Sequence, residues 1–264
     1  MADTLDSSPT APQVPDPTKF VPVTAADVER RRTKLILGIT AAALVLGLGS
    51  WYIYKRTTDP VLAKQAYDAG VRLAKATRFE QAILNFDRAI DLQSDFSDAY
   101  LMRARAKVGL YHSDNALADF NFAVAARPKD AHPLAERAFA YLELKQWDKA
   151  IADAGKAIEL DPKLGSPYNA RATAYRAKGD LQHAIADFSQ AIQNDPNLDN
   201  YFQRASTFQL LNQHKEAIAD FDQCIILAPD QPHLFFARAR SKVAVGDSAG
   251  AKQDIQIGRR MDGW

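Results

Sequence analysis

The sequence predicts an all-α protein, an α-α superhelix of six helix-turn-helix repeats preceded by one transmembrane helix. Three observations predict it. Arginines recur at Arg103, Arg137, Arg171, Arg204 and Arg238, with spacings of 34, 34, 33 and 34 residues. Alanines at Ala82, Ala116, Ala150, Ala184, Ala217 and Ala251 keep the same beat. Ahead of both series, Leu35 to Tyr54 reads LILGITAAALVLGLGSWYIY, without one charged side chain.

Bulk composition sets the outer bounds. The chain has 264 residues, 47% hydrophobic and 25% charged, which is ordinary for a globular protein. Lys and Arg number 33 against 32 Asp and Glu, so no bulk charge draws the protein to nucleic acid. Cys224 is the single cysteine, which leaves no intramolecular disulfide and no cysteine-based zinc site.

Residues 1–34 predict a disordered, Pro-rich tail. Pro9, Pro12, Pro15, Pro17 and Pro22 stand among Ser, Thr, Asp and Ala, and the apolar residues have no period. Residues 35–54 predict the transmembrane helix. Twenty residues at 1.5 Å each cover about 30 Å, the depth of the hydrocarbon core. Arg30, Arg31, Arg32 and Lys34 precede the run, and Lys55 and Arg56 follow it. That imbalance favours a cytoplasmic N-terminus. Trp51, Tyr52 and Tyr54 suit the interface at the far end. Residues 55–62 predict a short juxtamembrane linker, with Asp59 as N-cap and Pro60 as first helical residue.

The repeats follow at approximately 63–96, 97–130, 131–164, 165–197, 198–231 and 232–264. Each holds two helical runs, with apolar or small residues at i, i+4 and i+7, as in Ala184, Phe188 and Ala191. Breaks such as Lys178-Gly179-Asp180 and Leu211-Asn212-Gln213 separate the runs. Pro128, Pro162, Pro196 and Pro229 close the second ones. The one residue lost from the period falls between Pro196 and Tyr201, in a turn.

At these positions the chain resembles the tetratricopeptide repeat (TPR) family. The fourth copy carries the resemblance in Tyr168, Ala172, Tyr175, Gly179, Ala184, Phe188, Ala191 and Pro196. Departures are Gly70 and Ser94 in the first copy, Ala154 for Phe in the third and Cys224 for Ala in the fifth. The resemblance implies a solenoid that binds protein or peptide partners in a concave groove lined by first helices. Register then nominates Tyr67, Leu101, Arg105, Phe139, Asn169, Arg176, Phe202, Gln209, Phe236 and Arg240 as groove residues. Rings would anchor such a partner, arginines would meet carboxylates and amides would satisfy its backbone. The Lys/Asn/Arg clamp of family members that hold chaperone C-termini is expected to be absent, because Tyr67, Val71, Leu101 and Arg105 occupy its places.

Asp119, Asp153, Asp187, Asp220 and Asp254 accompany the repeat arginines and predict Arg–Asp pairs between helices, within a unit or to the next. The first copy lacks both partners. Phosphate-binding loops, H-E-x-x-H and nucleophile-elbow motifs are missing, and no histidine pairs with another at helical spacing. The reading is therefore not an enzyme, with no cofactor, no metal and no nucleic-acid partner. Ile257, Met261 and Trp264 are expected to leave an apolar face on the sixth repeat that contacts a partner or another copy of the chain.

The functional expectation is a membrane-anchored scaffold or adaptor. Its site would be the bacterial inner membrane with periplasmic repeats, or else the mitochondrial outer membrane. The resemblance implies envelope assembly, secretion or a chaperone complex. A self-assembling subunit of a membrane complex, or the regulatory subunit of an enzyme encoded elsewhere, stays open beside it.

Overall fold

A computed structural model of the chain describes Glu29, Arg30, Thr33 and residues 59–263. The expected membrane span at 35–54 and most of the expected tail lie outside the described residues, as does Trp264. Glu29, Arg30 and Thr33 are helical, a local correction to the disordered tail. The Thr33 hydroxyl donates to the Glu29 carbonyl one turn back, at 2.8 Å. Among the described residues no helix is long and apolar enough to cross a membrane.

From residue 59 the chain is a run of paired helices. The first, α1, covers residues 59–75, so residues 59–62 are its opening turn rather than linker, and Asp59 is already helical. It is followed by α2 (Phe79–Leu92), α3 (Ser97–Gly109), α4 (Ser113–Ala126), α5 (Ala131–Glu143) and α6 (Trp147–Leu160). Then come α7 (Gly165–Ala177), α8 (Leu181–Asn194), α9 (Leu198–Leu210), α10 (His214–Leu227), α11 (Pro232–Ala244) and α12 (Ser248–Met261). From α3 on, first helices have 13 residues and second helices 14. Three residues join the two helices of a repeat and four join one repeat to the next. The exception is 195–197, where three suffice. That turn is where the sequence loses its residue.

The turn inside each repeat has one geometry. Its middle residue is left-handed: Thr77 at φ 57°, Tyr111 at 61°, Lys145 at 55°, Gly179 at 83°, Asn212 at 57° and Gly246 at 86°. The next N–H then reaches the carbonyl five residues back, as Asp180 to Tyr175 and Asp247 to Lys242, both at 2.9 Å. This satisfies carbonyls that the helix end would leave bare.

Small side chains let the paired helices close up. Ala104, Ala138, Ala172, Ala205 and Ala239 occupy one position of successive first helices, and all are buried. In the first repeat that position is Gly70, where an added Cβ would lie 2.6 Å from Phe86. Phe86, Phe120, Phe188 and Phe221 fill the space between these residues and the next repeat; Phe120, for example, packs with Leu101, Ala104 and Ala116 and reaches Ala140. No hairpin buries both its faces alone, so stability accumulates along the stack.

Candidate functional site

First helices of successive repeats touch one another, α3 with α5, α5 with α7 and α7 with α9, whereas no pair of second helices packs comparably. The inner curve of the array is therefore a surface of first helices. Its charge depends on how the repeat arginines are used.

Those arginines are used by the scaffold. Nε and Nη2 of Arg171 donate to the two oxygens of Asp187 at 2.7 and 2.8 Å. The same fork joins Arg103 to Asp119, Arg137 to Asp153, Arg204 to Asp220 and Arg238 to Asp254. All five pairs lie within a repeat, and the five aspartates are buried. The third donor of four arginines reaches back to the preceding second helix: Arg103 to Asp87, Arg137 to Asn121, Arg204 to Ser189 and Arg238 to Asp222. The ladder thus links helices within a unit and units to each other. Burial pushes the Asp254 carboxyl up, but hydrogen bonds from Arg238 and Lys242 outweigh it and hold the group below its usual range.

The fifth bridge is missing. Arg171 faces Gly155 where the other repeats offer Asp, Asn or Ser, and a Cβ there would meet only Arg171 Nη1, at 4.0 Å. Gly155→Asp is expected to stabilise the protein by about 1 kcal/mol, by removing a glycine from the interior of α6 and completing the bridge. An unchanged midpoint in thermal unfolding followed by circular dichroism would refute it.

The nominated groove residues differ in their surroundings. Phe139 and Asn169 line one recess, and Arg105 lines another between α1, α2 and α3, where it also binds Glu136 at 2.7 Å. Arg240 is exposed and donates to Gln209 Oε1 at 2.6 Å. Gln209 is itself buried, its amide spent on the Ala237 carbonyl and the Ser241 hydroxyl. Arg176 is half-buried, with its guanidinium over the Phe188 ring at 5.7 Å. Burial lowers its pKa, opposed by Asp199.

Four others pack on neighbouring side chains. Leu101 is buried among Ala104, Phe120 and Ala140 and belongs to the core. Phe236 packs on Gly258 of α12, where a Cβ would lie 2.7 Å from its ring. Tyr67 is held between Phe96 and Phe86, with centroids 5.0 and 5.9 Å away. Phe202 stands edge-on to Phe221 at 5.8 Å.

The recess at Phe139 and Asn169 has a volume of about 450 Å³ and lies between α5, α7 and α9. Ser166, Leu198 and the polar residues Asp195, Asn197, Asp199 and Asn200 complete its wall. None of these last six was nominated from the sequence. The signal that finds them is the repeat itself. Asn169 stands where other first helices carry Tyr67, Leu101, Ala135, Phe202 and Phe236. Asn200 stands where they carry Gln65, Ala99, Pro133, Pro167 and Leu234. Cys224, by contrast, is buried in α10, and desolvation pushes its thiol up to about 12, which suits packing and not nucleophilic chemistry.

Two tetratricopeptide repeat family models match the chain, one over residues 131–164 and 166–198, the other over 198–231. The matched segments lie within residues 131–231, less than half of the chain. The same helix-pair geometry continues through α1–α4 and α11–α12, which the matches leave uncovered. No curated protein matches the sequence. Among solved structures, the chain is similar to a thermophilic TPR protein, TTC0263 of Thermus thermophilus, at 21% identity and TM-score 0.59, over 69% of this chain and 98% of that one. It is also similar to PilW, a widely conserved type IV pilus biogenesis factor, at 17% identity and TM-score 0.69, over 75% and 92%. A third is YrrB, a TPR protein with an unusual peptide-binding site, at 19% identity and TM-score 0.52, over 71% and 96%. At these identities the likeness is one of fold.

Proposed function

We propose that the chain is a membrane-anchored TPR scaffold that binds a protein or peptide partner along its concave face. The observation that carries the reading is the inner surface of first helices with its recess at Phe139. The periodic charges are consumed by the scaffold, which leaves other first-helix side chains, those of the recess among them, to meet a partner. The anchor rests on the sequence: twenty uncharged residues from Leu35 to Tyr54, flanked by cations and ending in Trp51, Tyr52 and Tyr54. The cation imbalance supports a cytoplasmic N-terminus; in a bacterium that puts the repeats on the periplasmic side of the inner membrane, and the mitochondrial outer membrane is the corresponding eukaryotic site. The similarity in fold to a pilus biogenesis factor accords with a role in envelope assembly.

A photocrosslinking residue at Phe139 is expected to capture a partner in membranes, while one at Ile226, 70% exposed on the second helix α10, captures none. Equal capture at both sites would sink the groove. Release of the chain from membranes by alkaline carbonate would sink the anchor. Self-association through the sixth repeat is a second reading, favoured by Met261, which is 44% exposed on the last turn of α12. Truncation after Arg260 is then expected to lower the sedimentation coefficient of the full assembly, and an unchanged value dismisses that contact.

A further inference from the structure

The recess between α5, α7 and α9 coincides with the one shortened connection of the array, 195–197. It also coincides with the two positions where buried asparagines replace residues that are apolar in nearly every other repeat. The helical stack does not require either asparagine, since its other units are built without them. A polar deviation of that kind, aligned with a break in register and opening on a cavity, marks a binding feature.

The hydrogen bonds define what the feature lacks. Asn169 Nδ2 donates to Asp199 Oδ2 at 3.1 Å and to Asn200 Oδ1 at 2.5 Å, which uses both its hydrogens. Asn200 Nδ2 donates to the Asp195 carbonyl at 2.8 Å, and Asn197 Nδ2 to Asp195 Oδ2 at 2.7 Å. Gln203 Nε2 adds a bond to Asp199 Oδ1 at 3.1 Å. The amide donors therefore point at their neighbours, and acceptors are left over. Asn169 Oδ1 accepts no bond among the described residues. Neither Asp195 nor Asp199 has a lysine or arginine within 4.0 Å among the described residues, unlike the five ladder aspartates. Arg176, on the same helix as Asn169, turns its guanidinium to the Gln203 carbonyl at 3.5 Å and to the Phe188 ring. Phe139 supplies an apolar wall on the opposite side.

We infer that this recess is a specificity pocket for the basic side chain, Arg or Lys, of an extended peptide partner. Such a side chain carries only donors, which suits Asn169 Oδ1, Asp195 Oδ1 and the remaining acceptor capacity of two carboxylates without a cation partner. Its charge complements the two carboxylates, and its methylene stem or cation suits the ring of Phe139. The inference rests on the groove reading above and names the chemistry that groove selects.

The test uses the full chain in detergent and capped undecapeptides of Ala, Ser and Leu with one central Arg, Lys, citrulline or Glu. Citrulline keeps the shape of arginine without its charge. Binding is followed by peptide fluorescence anisotropy and by the side-chain amide NMR signals of Asn169 and Asn200. The Arg and Lys peptides are expected to bind at least about tenfold more tightly than the citrulline and Glu peptides, and to shift both amide signals. Asp195→Asn/Asp199→Asn is expected to erase that preference while leaving the circular dichroism spectrum unchanged. Equal affinity for the Arg and citrulline peptides, no binding of the Arg peptide, or a preference that survives the double variant would each overturn the pocket. Capture at Phe139 together with any of those outcomes rejects the pocket but keeps the groove; absence of capture rejects the groove itself.

Discussion

Replacing Arg171 with methionine is expected to cost about 3 kcal/mol of stability, because it strands a buried carboxylate. Asp187 is 6% exposed, and both its oxygens are satisfied by Arg171 at 2.7 and 2.8 Å. Methionine keeps the aliphatic stem and removes every donor. The carboxylate must then stay charged without a partner, take up a proton, or open the α7–α8 hairpin toward water, and each alternative costs free energy. The fourth repeat is the sharpest place to see this. At Asp119 and Asp254 a lysine also donates, Lys107 at 2.8 Å and Lys242 at 3.0 Å. Arg103→Met is therefore expected to cost less than Arg171→Met. Removing both partners, as Arg171→Met/Asp187→Leu, is expected to recover most of the loss, since no unpaired charge remains. Thermal unfolding of the full chain in detergent, followed by circular dichroism, checks all three variants. A single variant indistinguishable from the parent would make the ladder a set of solvated surface charges worth about 0–1 kcal/mol each.

The ladder was legible in the sequence because both partners recur with the repeat, and a charge that returns at each turn of a solenoid occupies the same environment each time. The breaks inside the repeats and the place of the lost residue were legible for the same reason. Which first-helix side chains pack on a neighbouring helix was not. Leu101 and Phe236 sit at the same position of their helices as Asn169, yet Leu101 covers Ala140 and Phe236 enters a slot opened by Gly258. What a first-helix side chain does there depends on the bulk of a residue one helix away, which periodicity does not report. The recess was hidden for a related reason. A one-residue deletion reads as loop variation until the structure shows Asp195, Asn197 and Asn200 tied together across it.

Phe188→Ala is expected to be the most damaging substitution in the apolar core, at about 3–5 kcal/mol. The ring is fully buried against Ala172, Ala184 and Tyr175, with the Arg176 guanidinium above it. Alanines surround it because they admit the ring, so they cannot grow to fill the hole it leaves. The third repeat shows what a ring-free hairpin needs. Its Ala154 is buried with Ala138 and Ala170, and Phe139 and Leu142 close over them from the first helix. The fourth repeat has Thr173 and Arg176 at those two positions, and neither supplies that apolar cover. Two adjacent repeats would then lack the ring that couples a hairpin to its neighbour. In a stack stabilised by nearest-neighbour contacts, that loss concentrates at one interface. Amide hydrogen exchange is expected to accelerate first in α7, α8 and α9, while α2–α4 keep their protection. Uniform acceleration across the array would instead show that the repeats unfold as one unit and that the ring contributes only its share of a common core.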